Sequence, residues 1–332
     1  MHRLAQRYRA CEAMRVEKQE FVRRSAAMEN KPSWRAYRAA YAHTRCSARE
    51  YFIFRFYEKS RVECDSYLTL RRRDRFIHQI GDDETSNSSV PGNKILFNRL
   101  FEGYLRREWL NLAACTPEEF AAFVRKHGKV MLKPACGGCG KGISLYRYEG
   151  DAAAAARHAA LAGEAMLAEE MSVQHAQLNR LNPHCLNTVR VVTYTDCDEV
   201  HIVLAPLRSA KGNGMVDNFH AGGICMAVDL QTGAVTSDGM DEEARVFSVH
   251  PLTGTPLRGF RLPNWEKAMD VVRRAAREMY ALPRCRFLGW DVAFLENGEV
   301  AVIECNWRQG VEAQMPHAKG IFYELEALRK KR

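Results

Sequence analysis

Phe287-Leu288-Gly289-Trp290-Asp291-Val292-Ala293-Phe294 and Ala301-Val302-Ile303-Glu304-Cys305-Asn306 are two apolar, β-prone stretches separated by the turn Glu296-Asn297-Gly298-Glu299. The pattern predicts a β-hairpin. Side chains alternate along a strand, so Glu304 and Asn306 share a face, and antiparallel pairing brings Asp291 beside them. Two carboxylates and an amide oxygen at Asp291, Glu304 and Asn306 suit magnesium, which takes oxygen ligands and keeps positions open for phosphate and water. The alternative is an ordinary hairpin with polar punctuation.

A second stretch, far upstream, supplies what a phosphate needs. In Val130-Met131-Leu132-Lys133-Pro134-Ala135-Cys136-Gly137-Gly138-Cys139-Gly140-Lys141-Gly142-Ile143, an apolar strand delivers Lys133 and a glycine-rich loop follows, with a second strand starting at Ile143. Gly137, Gly138, Gly140 and Gly142 let backbone N–H groups close around anionic oxygens. Strand, loop and strand in that order differ from a Walker loop or a dinucleotide fingerprint, both of which run into a helix. A flexible hairpin tip is the bland reading, but a mere tip has no need of Lys133 and Lys141 at its two ends. Cys136 and Cys139 have C-x-x-C spacing without a second such pair, so zinc or redox chemistry is the weaker reading.

Between and around these stretches the chain alternates helix and strand signals. Residues 81–90 are a polar linker, and Asn93 caps a helix running to Leu105 whose apolar face is Ile95, Phe97, Leu100 and Phe101. Thr116-Pro117-Glu118-Glu119 opens a helix ending at His127-Gly128. An alanine-rich helix, Asp151 to Leu161, precedes a short strand, Ala165 to Glu169, and a hinge at Glu169-Glu170-Met171-Ser172. Arg190 sits within the β run ending at Tyr194; buried there it needs a partner, either a phosphate oxygen or an acid.

Together these features resemble the ATP-grasp superfamily, whose members hold ATP between two α+β subdomains, under a glycine-rich hairpin and over a carboxylate pair. The spacing Asp291, Glu304, Asn306 resembles the metal triad of D-alanine:D-alanine ligases and ribosomal-protein glutamate ligases. Gln174-His175, Asn187-Thr188-Val189-Arg190, the stretch Val216 to Gly223, His250-Pro251-Leu252-Thr253-Gly254 and Gly289-Trp290-Asp291 resemble the sugar-transfer-associated ATP-grasp family. The resemblance spans roughly residues 90 to 320 and implies an α+β ATP-grasp fold of two α+β subdomains behind an N-terminal basic helical region. The expected divisions are 1–80, 81–170 and 171–332.

The resemblance also implies roles. ATP and Mg2+ are the cofactors. Lys94 stands where many grasp enzymes present a first phosphate-binding lysine, although a solvated helix-start lysine has the same position. Lys133, Gly137, Gly138, Gly140 and Lys141 hold the triphosphate, and the hinge turns Glu169 or Glu170 toward adenine or ribose, unless both are solvated linker residues. Arg208 meets the transferring phosphate, Asn218 shapes the acyl site with Gly222-Gly223, and His220 is a general base or a substrate contact, or simply a packing residue. Gly289 departs from the pattern, since D-alanine:D-alanine ligases place a catalytic arginine there. The oxyanion-stabilising charge then comes from Arg190 or Arg208. The implied reaction is ATP-dependent ligation of a carboxylate to an amine through an acyl phosphate, in cell-surface polysaccharide or related biosynthesis. A kinase with the same nucleotide site and a non-catalytic ATP-binding partner protein are the alternatives.

Composition agrees with a globular enzyme: 332 residues, 46% hydrophobic and 10% aromatic, suffice for two or three lobes. No apolar run reaches membrane-span length, and the arginines scattered through the first thirty residues interrupt any signal core. A cytoplasmic enzyme with reduced thiols is expected, the eleven cysteines showing no regular framework. Residues 1–80 hold 19 Lys and Arg against 9 Asp and Glu, so the whole-chain charge of +9 belongs to the N-terminal quarter. That quarter reads as helices over Met1 to Met28 and Trp34 to Tyr67, with Trp34, Tyr37, Tyr41, Tyr51, Phe54 and Tyr57 as a core-facing stripe and the arginines as a solvated face. A surface this basic also suits an anionic glycan, a nucleotide-linked sugar, a membrane leaflet or RNA. Arg71-Arg72-Arg73-Asp74-Arg75 and Lys330-Lys331-Arg332 carry no nucleic-acid-binding signature beside them, which disfavours RNA or DNA as partner. The sequence names neither the acid, nor the amine, nor the oligomeric state.

Overall fold

The computed structural model describes residues 2–26, 28–82, 90–138, 140–197, 199–214, 219, 222–282 and 285–331. The chain forms two compact units, Met1–Ile80 with Gly310–Arg332, and Gly81–Gln309.

The first unit is helical: α1 His2–Ser25, α2 Trp34–Thr44, α3 Ala48–Ile53, α4 Arg61–Ser66, α5 Leu70–Ile80 and a C-terminal helix Phe322–Lys330. The helix expected over Trp34 to Tyr67 is broken into three. Arg45 leaves α2 in the left-handed region, and Ser47 with Glu50 and Ser60 with Glu63 form capping boxes that start new helices. The aromatic stripe does face inward, with Tyr37, Tyr51 and Phe54 buried. Arg72 and Arg73 correct the expectation of a solvated basic face. Arg72 donates to the carbonyls of Asp65, Tyr67 and His43 and lies over the Phe322 ring, and Arg73 is buried beside Asp74. The C-terminal segment joins this unit through Gln314, which donates to Leu68 O and accepts from Leu68 N and Ile321 N.

The second unit holds two antiparallel sheets. After α6 Lys94–Leu100 and α7 Glu102–Leu105, the smaller sheet uses β1 Trp109–Asn111, β2 Lys129–Pro134, β3 Ser144–Arg147 and β4 Met166–Glu170 in the order β1-β4-β2-β3. Helices α8 Pro117–His127 and α9 Asp151–Ala160 contribute Phe120, Val124 and Ala154 to a core with Val130, Leu132 and Ala168. Thr116 and Glu119 form the capping box that starts α8, and Gly128 ends it. Asn93 caps α6 through bonds from Ile95 N and Leu96 N, but the helix is interrupted at Phe101, and Leu100 is exposed instead of lining the apolar face.

The larger sheet follows α10 Ala176–Asn179. Its strands are β5 Thr188–Asp196, β6 Glu199–Leu204, β7 Leu207–Ala210, β8 Gly223–Met226, β9 Gly239–Asp241 and β10 Val246–Phe247, then, after α11 Trp265–Tyr280, β11 Phe287–Phe294 and β12 Val300–Asn306. They run in the order β10-β9-β8-β7-β5-β11-β12, with β6 also paired to β5. The apolar face of α11, with Ala268, Val272, Ala275 and Met279, covers one side of the sheet against Val191, Trp290, Val292 and Val302.

Candidate active site

Strands β11 and β12 form the hairpin anticipated from the sequence, with Asp291 opposite Glu304 and Gly289 opposite Asn306. The pairing is not regular. Val292 pairs with Val302, so Ile303 is an extra residue on β12, a β-bulge. The bulge decides which face carries the polar groups. Val300 and Val302 lie in the main core with Trp290 and Val292, whereas Ala293, Ala301 and Ile303 pack on the opposite face. Uninterrupted alternation would send Glu304 and Asn306 into the main core after Val302. Cys305 takes that side instead, which puts Glu304 and Asn306 on the face of Asp291.

On that face Asp291 is buried between two arginines. Arg190, opposite it on β5, donates from Nε to Oδ1 and from Nη2 to Oδ2 at 3.0 Å, and Arg208 Nη2 lies 2.9 Å from Oδ2. Burial alone would raise the Asp291 pKa, but Arg190 and then Arg208 outweigh it and hold the carboxyl well below its ordinary range. Arg208 also donates to Thr188 Oγ1 at 2.7 Å. Glu304 and Asn306 are more open: Asn306 Nδ2 donates to Glu304 Oε1 at 3.2 Å, which leaves its carbonyl oxygen to a cation. Among the described residues no three His, Cys, Asp or Glu side chains gather as a metal site. Of the three anticipated oxygen ligands, Glu304 and Asn306 are thus the ones open to the cleft, while Asp291 is already charge-compensated.

Facing this edge is a cleft of about 200 Å3 that joins several of the anticipated residues: Lys94, Gly137, Gly138, Glu304 and Asn306. Lys94 spans it, donating from Nζ to Gly137 O at 2.9 Å and lying 3.9 Å from Glu304 Oε2. A bond from Lys94 N to Ala135 O and a bridge between Asn93 and Cys136 hold the start of α6 against the root of the glycine loop. Gly137, Gly140 and Gly142 all have positive φ; at Gly142 a Cβ would also come within 2.7 Å of Pro134 Cγ.

Other anticipated residues stand apart from the cleft lining. Lys133 donates to Glu169 Oε2 at 2.6 Å, and Glu169 is buried, also accepting from Arg107 Nε at 2.8 Å and Asn98 Nδ2 at 2.9 Å. Burial opposes ionisation of Glu169, and Arg107 and Lys133 more than reverse that effect, keeping its pKa well below the carboxylate range. Glu170 is partly exposed, accepting from Glu108 N at 2.9 Å. Lys141 is exposed on the hairpin beside Gly140. Asn218 and His220 lie outside the described residues.

Several quoted motifs have structural work instead. Asn187 donates to Gln174 Oε1 and accepts from Ser209 Oγ, which lies 2.9 Å from Nε2 of the buried His250. His250 Nδ1 accepts from Leu252 N, so Nε2 carries the proton, and the network ties together the strands that present Arg190 and Arg208. Sequence reasoning missed Arg107, Asn98, Trp307 and Arg308; the last two line the cleft, with Arg308 Cζ over the Trp307 ring at 4.8 Å. Arg308, two residues beyond Asn306, was the one with a visible signal.

A family model described as sugar-transfer associated ATP-grasp matches residues 115–330, and the chain belongs to that family. Its two α+β lobes are accordingly an ATP-grasp fold, preceded by the basic helical region. Similar solved structures include the ATP-grasp ligase PsnB complexed with minimal precursor, Mg and ADP, 15% identical over 73% of this chain and 60% of that one, TM-score 0.43. D-alanine-D-alanine ligase from Helicobacter pylori is 13% identical over 73% and 61%, TM-score 0.43. N5-carboxyaminoimidazole synthase from Aspergillus clavatus is 14% identical over 66% and 44%, TM-score 0.37. The chain spans about half the length of the solved structures it matches first. No curated protein matches the sequence.

Proposed function

We propose that this protein is an ATP-dependent carboxylate-amine ligase acting in cell-surface polysaccharide or related biosynthesis. The observation that carries the reading is the cleft in which Lys94 and the Gly137-Gly138 backbone face Glu304 and Asn306. A lysine and backbone N–H groups on one wall suit a polyphosphate, and oxygen ligands on the other suit the cation that accompanies it. The nucleotide lies between the small-sheet lobe of residues 81–170 and the large-sheet lobe that begins at 171. The family's association with sugar transfer supports a glycan or other small-molecule carboxylate as substrate. Free thiols at Cys46, Cys64, Cys115, Cys197, Cys285 and Cys305 are in keeping with a cytoplasmic enzyme.

In this reading Lys94 and the glycine loop orient the β- and γ-phosphates. Glu304 and Asn306 would hold magnesium, which when bound neutralises phosphate charge. Arg190 and Arg208 flank Asp291 on this face, and their guanidinium groups meet the charge developing on the transferring phosphoryl group. A substrate carboxylate oxygen attacks the γ-phosphorus, the bond to ADP breaks, and an acyl phosphate forms. An amine then attacks the acyl carbon and expels phosphate. The glycine hairpin, closing over the cleft, keeps water from the acyl phosphate.

The test is ADP release against uronic acids, nucleotide sugars and amino acids, with hydroxylamine as trap and mass spectrometry of products. A ligase yields a hydroxamate from the acid and an amide once the right amine is added. A phosphate retained on a sugar hydroxyl, with no amine dependence, identifies a kinase and ends the ligase reading.

A further inference from the structure

Arg107 lies in the turn between α7 and β1, and its side chain is almost wholly buried. All five of its N–H donors are used. Nε and Nη2 bond the two oxygens of Glu169 at 2.8 and 3.1 Å, Nη1 bonds Leu105 O at 3.2 Å and Val302 O at 3.1 Å, and Nη2 also bonds Ile303 O at 2.9 Å. Val302 and Ile303 are the two residues of the β12 bulge. A regular strand turns successive carbonyls to opposite edges; the bulge turns these two toward one donor, and a guanidinium is the side chain whose planar fork can take both. Because β12 is the last strand of its sheet, its outer carbonyls would otherwise have no strand partner.

We infer that Arg107 is a positioning residue for the nucleotide cleft. By holding the bulge at Ile303 it fixes the face on which Glu304 and Asn306 emerge. Through Glu169, which also holds the ammonium of Lys133 on β2, it ties that face to the strand leading into the glycine loop. One buried group thus sets the spacing between the oxygen ligands of one lobe and the phosphate-binding arm of the other. What the cleft binds rests on the ligase reading above; that Arg107 holds the bulge does not.

Arg107→Lys keeps the charge but replaces the planar fork with a single nitrogen that cannot serve Glu169 and both carbonyls. Two measurements on the full chain test the inference: ADP affinity by calorimetry with and without Mg2+, and amide hydrogen exchange over residues 300–308. For a folded Arg107→Lys protein, the expected result is at least a tenfold loss of Mg2+-dependent ADP affinity, less than a twofold change without Mg2+, and at least tenfold faster exchange over β12. If the variant does not fold, Arg107→Met with Glu169→Gln removes both buried charges together and is expected to shift both readouts the same way. A folded variant with a lowered Tm but wild-type exchange and wild-type Mg2+ dependence would make Arg107 a merely stabilising residue and overturn the inference. If the wild-type protein binds no ADP, the ligase reading fails, and the exchange measurement alone still decides the role of Arg107.

Discussion

Arg190 and Asp291 occupy facing positions on β5 and β11, and the guanidinium grips both oxygens of the carboxylate on the face that also carries Glu304. Arg208 reaches the same carboxylate from β7. Asp291→Asn would take from two part-buried guanidinium groups the carboxylate charge they share, a change that costs up to about 3–5 kcal/mol where such pairs are fully buried. A large drop in Tm together with a strong loss of ADP formation is expected, and a variant as stable as wild type in thermal unfolding would refute the pairing.

Glu304 makes no such buried pair, so Glu304→Gln separates function from folding. On the proposed reading, substrate-dependent ADP formation falls by about 10²- to 10³-fold, the scale of a single electrostatic stabiliser. Tm and Mg2+-free nucleotide binding stay near wild type. Near-normal turnover by the folded variant rules out Glu304 as a magnesium ligand.

Gly289 explains its own departure from the arginine expected at that position. A Cβ there would come within 2.8 Å of Arg190 Cδ and of Gln309 Oε1. Arg190 already fills the space, so Gly289→Ala should displace it and weaken its grip on Asp291. An activity loss of roughly tenfold or more, larger than the effect on Tm implies, is expected. Full activity in Gly289→Ala would show that Arg190 tolerates the shift.

Acid stability should fall in two stages. Burial and the nearby Lys319 push His317 down to about 4, and its Nε2 has no hydrogen-bond partner among the described residues. The unfolded chain takes up this proton first, near the ordinary histidine value of about 6.5, so stability declines as pH falls from there toward 4. Asp291 and Glu169, both depressed, contribute fully at neutral pH and lose their contribution only below the ordinary carboxylate range of about 4. His317→Leu should make the first stage shallower, the buried His250 being held low as well, and leave the second, as read from Tm against pH. An unchanged slope between pH 6.5 and 4 would count against His317.

The basic helical unit offers exposed charge at Arg35, Arg38 and Arg75, whereas Arg72 and Arg73 are structural. If this unit draws in an anionic acceptor, the apparent acceptor affinity should weaken as salt rises, since exposed charges are screened over about 10 Å at 0.1 M. Reversing Arg35, Arg38 and Arg75 to Glu should reproduce that weakening with the fold intact, while Arg72→Glu should unfold the unit. Acceptor affinity indifferent to salt and to the triple reversal would leave the unit a purely structural one.

Local rules were enough for much of this protein. Hairpin β11–β12, the capped starts of α6 and α8 and the glycine loop between β2 and β3 follow from alternation, capping chemistry and positive-φ glycines, all of which act over a few neighbouring residues. The breaks within Trp34 to Tyr67 were also written locally, in Ser47-x-x-Glu50 and Ser60-x-x-Glu63, but the helical spacing of the aromatics masked them. Only the tertiary structure decided that Ile303 would bulge. Alternation has no signal for one surplus residue, whose carbonyl is satisfied by Arg107 from nearly two hundred positions away. The same holds for the charges: Lys133 and Asp291 read as ligand contacts, Glu169 as a ligand contact or a solvated residue, and Arg190 as partnered by a phosphate or an unnamed acid, whereas their actual pairing follows from which strands lie side by side.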